Sequence, residues 1–173
     1  KDLITIGLPS KGRLKEKSLS FFSDSGLKII QSEKERNYFG TIENNPNVKI
    51  IFLHAKEIIQ RLGDGTLDIG VSGLDLLKES DKNLQGKINI QKKLDYGNAN
   101  LVVAVPDDWI DVQTIADLEE TSFDIRSKRN TRLRVATKYP NLTNDFLISK
   151  GVTQYKLIPS LGATETYLSL IHI

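Results

Sequence analysis

The sequence contains no cysteine and only two histidines, and this scarcity excludes several kinds of site. Without cysteine there is no disulfide framework and no thiolate-bound metal. With only His54 and His172, a zinc site built from histidine is not expected, and we predict no metal-ligating residue. No apolar run approaches the roughly 20 residues that span a bilayer, and no secretory leader is predicted.

The remaining composition is typical of a folded protein. The 173 residues suit one large domain or two small lobes. Hydrophobic residues make up 39% and charged residues 27%, and the net charge of +2 favours no class of partner. The basic run from Arg126 to Arg134 has no interleaved aromatic side chain, so we predict a solvated loop over 121–132 rather than a nucleic-acid surface.

Apolar runs separated by turn residues predict an α/β fold. Up to residue 79 the order is β-α-β-β-β-α-β-α, with strands at 3–8, 27–30, 38–42, 48–53 and 67–71. Beyond it we predict strands at 101–105, 134–137 and 155–158 and helices at 111–118 and 143–150, the first begun by Asp111. A glycine among small polar residues at 93–99 predicts a crossover, which divides the chain into lobe I (1–94) and lobe II (95–173).

The ten residues from Thr66 to Asp75 carry the first candidate site. Their apolar residues alternate as in a short buried strand, and two glycines then bracket Ser72. A strand that runs through such a turn into a helix start collects backbone N–H groups at the positive end of the helix dipole, which suits an anion. A plain tight turn with Ser72 as N-cap has equal weight at this point.

The turn at 9–14 carries two cations at a helix start. We predict Ser10 as its N-cap. Lys11 and Arg13 oppose the helix dipole there unless an anion joins them, so phosphate binding is favoured over a solvated turn. Strand-to-helix turns recur at 137–143 and, marked by glycine, at 159–165.

Five segments together resemble one family, the catalytic subunit of ATP phosphoribosyltransferase, the first enzyme of histidine biosynthesis. They lie at 8–14, 68–75, 96–106, 134–143 and 162–165, in the family's order and spacing. The run ATKYPNLT at 136–143 is nearly a signature. The resemblance covers the chain from about residue 3 to residue 165.

The resemblance implies a two-lobed α/β fold like that of type II periplasmic binding proteins, with the substrates in a central cleft. It implies a cytoplasmic enzyme that transfers the 5-phosphoribosyl group from phosphoribosyl pyrophosphate to N1 of ATP, with Mg²⁺ bound to the substrate phosphates. The implied protein partners are further copies of the chain and a separate regulatory subunit resembling a histidyl-tRNA synthetase. No nucleic acid or membrane is implied.

The matching motifs also imply roles for individual residues. Lys11, Arg13 and Arg36 would be catalytic contacts to phosphate, although Arg36 taken alone would be assigned to the surface. Glu165 would hold ribose hydroxyls or a magnesium shell. The substrate-binding set implied by the resemblance is Ser10, Gly12, Asp68, Ser72, Gly73, Asp75, Asp95, Tyr96, Gly97, Lys138, Tyr139, Asn141, Thr143, Gly162, Thr164 and Glu165.

Two departures from the family pattern affect the expected activity. His54 stands where many members have arginine. Residues 166–173 do not resemble the family's continuation, an acidic strand end and a Ser/Thr-Gly loop that holds the phosphoribosyl group. We therefore expect a chain truncated at its C-terminal end. An inactive or nucleotide-binding fragment, and a solute-binding protein of the same fold, stay open as alternative hypotheses.

Overall fold

The computed structural model describes residues 3–32, 38–160, 162 and 164. Internal contacts divide the chain into two compact units, Lys1–Ala99 and Asn100–Ile173, called unit 1 and unit 2 below. The sequence-based division falls between residues 94 and 95. Among the described residues, no helix is long and apolar enough to cross a membrane.

Unit 1 has the predicted order of strands and helices through its third helix. Its elements are β1 (Ile4–Pro9), α1 (Gly12–Asp24), β2 (Ile29–Gln31), β3 (Phe39–Ile42), β4 (Asn45–Leu53), α2 (Ala55–Gly63), β5 (Ile69–Gly70), α3 (Leu74–Glu79) and α4 (Lys82–Gln85). The apolar runs therefore located the strands correctly, with boundaries shifted by a few residues.

The strands of unit 1 form one five-stranded sheet in the order β2-β3-β4-β1-β5. Strand β1 pairs in parallel with β4 and with β5, so that Ile6 lies beside Ile50 on one side and beside Ile69 on the other. The β2–β3 and β3–β4 pairs are antiparallel. The carboxyl ends of β1, β4 and β5 consequently lie at the same edge of the sheet.

The two faces of this sheet are covered in different ways. On one face Leu8, Ile50 and Phe52 are fully buried in a cluster that includes Phe22 of α1. On the other face glycine makes room for α2, because a Cβ built on Gly70 would lie 2.6 Å from Cγ2 of Ile58. The glycines of β1 and β5 thus serve the packing of a helix.

Strand β5 is shorter and less buried than the alternation at 67–71 predicts. Leu67 is buried, but Ile69 is 50% exposed. The reason is its position, since β5 is the last strand of the sheet and has a neighbour on one side only.

Unit 2 contains α5 (Ile115–Arg129), β6 (Leu133–Thr137), α6 (Pro140–Ser149) and β7 (Tyr155–Pro159). Strands β6 and β7 pair in parallel, with Leu133 beside Tyr155. The core of the unit consists of Leu118, Leu133, Leu147 and Val152, and Trp109 packs against it.

The strand predicted at 101–105 is wrong. The segment is not assigned to a strand, and Leu101 and Val102 are 57% and 73% exposed. A strand needs a neighbour for its backbone N–H and C=O groups, and no described strand pairs with this segment. The apolar content of the segment predicted a strand, but apolar content does not show whether a neighbouring strand is present.

The predictions of a helix at 111–118 and of a loop at 121–132 are also wrong. One helix, α5, runs from Ile115 to Arg129 instead. Its N-cap is Thr114 rather than Asp111. The Thr114 hydroxyl accepts from the Asp117 N–H at 3.2 Å, while the Asp117 carboxylate accepts from the Thr114 N–H at 2.7 Å. This capping box fixes the helix start, and the basic residues after it occupy exposed helical positions.

Candidate functional site

The turns after β1, β4 and β5 are tied together at the carboxyl edge of the unit 1 sheet. The Ser10 N–H donates to the Leu53 carbonyl at 2.9 Å. The Ser72 hydroxyl donates to the Ala55 carbonyl at 2.7 Å. Three loops that are distant in sequence therefore form one connected edge.

Helix α1 begins at this edge without a capping side chain. Its N-cap is Lys11, in an extended conformation, so the prediction of Ser10 as N-cap is wrong. No acidic residue lies in the first turn, and Lys11 and Arg13 are exposed. Gly12 has φ of +74°, a conformation that favours glycine. Backbone N–H groups, a helix dipole and two cations here all favour an anion.

Helix α2 begins at the same edge but is capped by His54. The imidazole Nδ1 accepts from the Lys56 N–H at 3.3 Å. His54 therefore caps the start of its own helix. Many members of the family that the sequence resembles have arginine at this position. The Glu57 carboxylate accepts from Arg61 at 2.7 and 2.9 Å one turn further along.

The Ser72 turn departs from one of its two interpretations, the tight turn with Ser72 as N-cap. Ser72 is not the N-cap of α3, because Gly73 occupies that position without a side-chain hydrogen bond. A Cβ on Gly73 would meet the Asp75 carboxylate. Helix α3 has only six residues. The Ser72 turn therefore contributes to this edge of the sheet mainly through the Ser72 hydrogen bond, which fixes the start of α2.

Asp68 lies at the opposite edge of the sheet from Lys11 and Ser72. Its carboxylate accepts from the Thr5 N–H at 2.8 Å, and its own N–H donates to the Thr5 carbonyl at 3.0 Å. Thr5 precedes Pro9 by four residues in β1, a separation of about 13 Å. Asp68 is therefore not brought together with the other candidate residues of unit 1.

Tyr96 packs on the flank of α1. Its hydroxyl lies 3.3 Å from the hydroxyl of Ser18, which is fully buried, and the Lys17 ammonium lies 5.4 Å from its ring centroid. Asp95 and Gly97 on either side have positive φ values of 56° and 72°. The structure thus places this part of the predicted crossover against the helix that carries Lys11 and Arg13.

Unit 2 has its own edge at the carboxyl ends of β6 and β7. The Thr137 and Thr143 hydroxyls are buried and lie 2.9 Å apart, and Thr137 Oγ1 also accepts from the Tyr139 N–H at 3.0 Å. The Ser160 N–H donates to the Thr137 carbonyl at 3.0 Å. The Ser160 hydroxyl lies 2.8 Å from that of Thr164.

This edge brings together most of the candidates predicted for unit 2. Lys138 and Asn141 are exposed beside the buried hydroxyls, and Gly162 accepts from the Ser160 hydroxyl at 3.1 Å. Thr137, Ser160 and, in unit 1, Ser18 are absent from the predicted set, although their hydroxyls take part in these contacts. Arg36 and Glu165 lie outside the described residues.

Among the described residues, the side chains with a shifted pKa lie away from both sheet edges. Hydrogen bonds from Thr66 lower the pKa of Asp64, and hydrogen bonds from Thr114 and Gln113 lower the pKa of Asp117. Burial, with a smaller effect of Asp145, raises the pKa of Tyr155. Within the described part of the chain, no group of three or more carboxylate and imidazole side chains could hold a metal ion.

Comparison with known proteins assigns the chain to a family. The family model described as HisG: ATP phosphoribosyltransferase matches residues 54–171. The ATP phosphoribosyltransferase of Brucella melitensis biotype 2 is 44% identical over 163 residues, which are 94% of this chain and 71% of that protein. The ATP phosphoribosyltransferase of Nitrobacter winogradskyi is 45% identical, and the match spans 94% of this chain and 50% of that protein.

A solved structure has a similar fold. It is the ATP phosphoribosyl transferase (HisG:HisZ) complex from Thermotoga maritima, with a TM-score of 0.60 over 98% of this chain and 70% of that one. At 19% identity this likeness bears on the mixed α/β fold alone. The family match and the two relatives decide the affiliation: the chain belongs to the HisG family of ATP phosphoribosyltransferases.

Proposed function

We propose that this chain transfers the 5-phosphoribosyl group of phosphoribosyl pyrophosphate to N1 of ATP, giving phosphoribosyl-ATP and pyrophosphate. The observation that carries the proposal is family membership, with 44% identity over 94% of the chain to a protein named ATP phosphoribosyltransferase. The reaction is the first step of histidine biosynthesis and makes the protein a transferase. Neither alternative hypothesis, the solute-binding protein or the inactive fragment, is favoured by these relatives.

The reaction places a defined electrostatic demand on the protein. The bond from the anomeric carbon to pyrophosphate breaks while the lone pair of adenine N1 forms the new bond. The carbon becomes cation-like, and negative charge collects on the leaving pyrophosphate. Fixed cations and backbone N–H groups aimed at that charge lower the barrier, and positioning holds two polyanions side by side.

The start of α1 meets part of this demand. We assign Lys11 and Arg13 to substrate phosphates, with Ser10 and Gly12 forming the turn that presents them. The assignment is supported by the missing side-chain cap and by the absence of an acidic residue in the first turn. Ser72, Gly73 and Asp75 would shape the neighbouring wall, since Ser72 fixes the adjacent start of α2.

The edge of unit 2 supplies hydroxyl and amide groups. We assign Lys138, Tyr139, Asn141 and Thr143 to substrate contacts, together with Gly162 and Thr164. The assignment is supported by the buried contact between the Thr137 and Thr143 hydroxyls and by the Tyr139 N–H that donates to Thr137, which hold the turn carrying these residues. Roles for Arg36, Asp68, Asp95, Tyr96, Gly97 and Glu165 rest on the family resemblance alone.

Several finer features belong to the same proposal. Mg²⁺ would enter as the counter-ion of the substrate phosphates, as the family resemblance implies. We also propose the two-lobed type II arrangement for the fold and a cytoplasmic location. A separate regulatory subunit is supported by the Thermotoga maritima structure of similar fold, which is a HisG:HisZ complex.

The test separates binding from turnover. The full chain is titrated calorimetrically with MgATP and, separately, with phosphoribosyl pyrophosphate. Both substrates are then combined with Mg²⁺, and phosphoribosyl-ATP and pyrophosphate are measured by chromatography. Arg13→Gln is compared with Lys87→Gln, a removal of charge at an exposed position outside both edges.

The expected result is binding of MgATP, weakened in Arg13→Gln and unchanged in Lys87→Gln, with equal amounts of the two products. Binding of MgATP without product would retain the nucleotide site and contradict the transfer. Binding of neither substrate would contradict both.

A further inference from the structure

One face of α1 carries a serine at a buried position. Leu14, Ser18 and Phe22 recur at spacings of four residues, so they share this face. Phe22 belongs to the core of unit 1, and Ser18 is fully buried. A buried hydroxyl costs free energy unless it is hydrogen-bonded, so the partners of Ser18 decide what a serine does in this face.

The Ser18 hydroxyl lies between two partners. It donates to the Leu14 carbonyl at 2.6 Å, and its oxygen lies 3.3 Å from the hydroxyl oxygen of Tyr96. A serine hydroxyl has a single hydrogen, which the Leu14 carbonyl accepts, so Tyr96 is the donor to Ser18. The Tyr96 hydroxyl, the Ser18 hydroxyl and the Leu14 carbonyl therefore form one chain of hydrogen bonds, called the hydroxyl relay below.

The backbone around Tyr96 is shaped to direct this side chain at α1. Asp95 and Gly97 have φ values of +56° and +72°. The left-handed conformation costs free energy at a residue other than glycine, and it persists where the surrounding structure requires it. The Lys17 ammonium lies 5.4 Å from the centroid of the Tyr96 ring, within cation–π distance. Helix α1 thus holds both the ring and the hydroxyl of Tyr96.

The hydroxyl relay ends in the first turn of α1. The helix begins at Gly12, so Leu14 is its third residue and follows Arg13 directly. A serine that bonds to the carbonyl four residues earlier bends a helix slightly. Donation from Tyr96 polarises the serine hydroxyl and strengthens that bond. Because the relay acts on the Leu14 carbonyl, the direction of the first turn depends on Tyr96.

We propose that Tyr96 is a positioning residue for the turn at 11–13, and that it acts through Ser18 and α1 rather than by touching a substrate. The inference rests on the proposed function, in which this turn binds substrate phosphates. Hydrogen bonds from N–H groups weaken steeply when their geometry is bent, so a change in the direction of the first turn lowers its affinity for phosphate. The Tyr96 hydroxyl therefore sets an affinity at a place that it does not contact.

Removal of single hydroxyls tests the relay while the aromatic ring and the helix are kept. Tyr96→Phe, Ser18→Ala and the double variant of the full chain are compared with the natural sequence. Tyr38→Phe and Ser20→Ala are the matched controls, since both change exposed positions of unit 1. MgATP is titrated calorimetrically, the backbone amide signals of the ligand-free protein are recorded by NMR, and circular dichroism checks the fold of every variant.

Tyr96→Phe should raise the dissociation constant of MgATP by about threefold to tenfold, the usual effect of one neutral hydrogen bond. The double variant should bind about as weakly as either single variant, because the two hydroxyls act as one unit. In the ligand-free protein, Tyr96→Phe should shift the amide signals of residues 12–14, whereas Tyr38→Phe should leave them unchanged.

A folded Tyr96→Phe variant that binds MgATP as tightly as the natural chain would overturn this inference alone, and Tyr96 would then serve packing only. Unchanged amide signals at 12–14 would overturn it as well, and so would losses of affinity that multiply in the double variant. A natural chain that binds no MgATP would overturn the phosphate assignment of the turn and this inference with it.

Discussion

Helices α1 and α5 begin in opposite ways. At the start of α5, the Thr114 hydroxyl and the Asp117 carboxylate satisfy each other's backbone N–H groups. At the start of α1, Lys11 offers no acceptor and the first turn carries Arg13 in place of an acid. One helix start is completed by its own side chains, whereas the other presents N–H groups and positive charge to whatever binds there.

The two helix starts serve different purposes: the start of α5 stabilises its helix, and the start of α1 is suited to binding. A capping box stabilises its helix, and a cation at the same place weakens it. The cost at α1 is offset when a phosphate occupies the turn, because the anion then completes the hydrogen bonds and neutralises the cations. The less stable helix start is thus the one suited to a ligand.

Converting the start of α1 into that of an ordinary helix should have the largest effect on binding. In Lys11→Asp the new carboxylate can cap the helix, so the free energy of unfolding should rise by about 0.5–1 kcal/mol. The same carboxylate repels phosphate and removes a charge-assisted hydrogen bond, so MgATP affinity should fall at least about tenfold. Urea denaturation and calorimetry measure the two effects.

Lys87→Asp is the control for this substitution, because Lys87 is exposed and lies outside both edges. It should leave MgATP affinity unchanged. If Lys11→Asp also retains full affinity, the start of α1 is not the phosphate site and the contrast with α5 has no functional meaning.

The second prediction compares the two carboxyl edges. Thr137→Val keeps the side-chain shape but removes the hydroxyl that contacts the buried Thr143 hydroxyl and accepts from the Tyr139 N–H. The free energy of unfolding should fall by about 2 kcal/mol. Ser10→Ala, at the edge of unit 1, should change it by less than about 0.5 kcal/mol, because the turn there is held by backbone groups. Equal losses in guanidinium denaturation would contradict this distinction.

A third, smaller effect concerns the capped helix. Thr114→Ala removes the hydroxyl that accepts from the Asp117 N–H, and should cost about 1 kcal/mol of unfolding free energy at neutral pH. Thermal unfolding followed by circular dichroism measures it. Ser127→Ala, in the last turns of α5, provides a comparison in which no cap is lost.

The smallest effect is the pH dependence of that same cap. The lowered pKa of Asp117 means that its carboxylate stabilises the fold above the ordinary value of 3.8, and that this contribution is lost as pH falls through the lowered pKa. The difference between the natural chain and Asp117→Asn should therefore be full at neutral pH and should shrink in acid. A difference that grows as pH falls would have the wrong sign.

Local patterns predicted the elements of unit 1 from β1 to α3, but not the short helix α4, because the signals of the former are local. A buried strand such as β4 is apolar over consecutive residues, and each helix follows a turn that contains glycine, serine or histidine. The family resemblance implied that Ser10, Lys11 and Ser72 belong to one substrate site, and the parallel pairing of β1 with β4 and β5 brings their turns to the same edge of the sheet. The order of elements through α3 was correct for these reasons.

What the sequence missed depends on contacts between distant residues. Asp68 adjoins a candidate turn in sequence, but the register of β1 against β5 places it beside Thr5. The buried Ser18 hydroxyl meets the Tyr96 hydroxyl, which lies 78 residues away in sequence. The apolar run at 101–105 has the composition of a strand but no described partner strand. Contacts between distant residues leave no recognisable pattern in a short stretch of sequence.

The basic run at 126–132 was misjudged for a different reason. Its charges were taken as a sign of a loop, yet arginine and lysine are good helix formers and suit the last turn of a helix. Charge alone distinguishes solvent exposure from burial, but it does not distinguish a loop from the exposed face of a helix.

The position of Trp109 gives the protein a natural optical probe. It is the single tryptophan of the chain, and it packs against the core formed by Leu118, Leu133, Leu147 and Val152. Excited at the red edge of its absorption band, where tyrosine does not absorb, its fluorescence arises from unit 2 alone. Emission wavelength and acrylamide quenching therefore follow one half of the molecule without any label, while the five-stranded sheet contributes nothing to the signal.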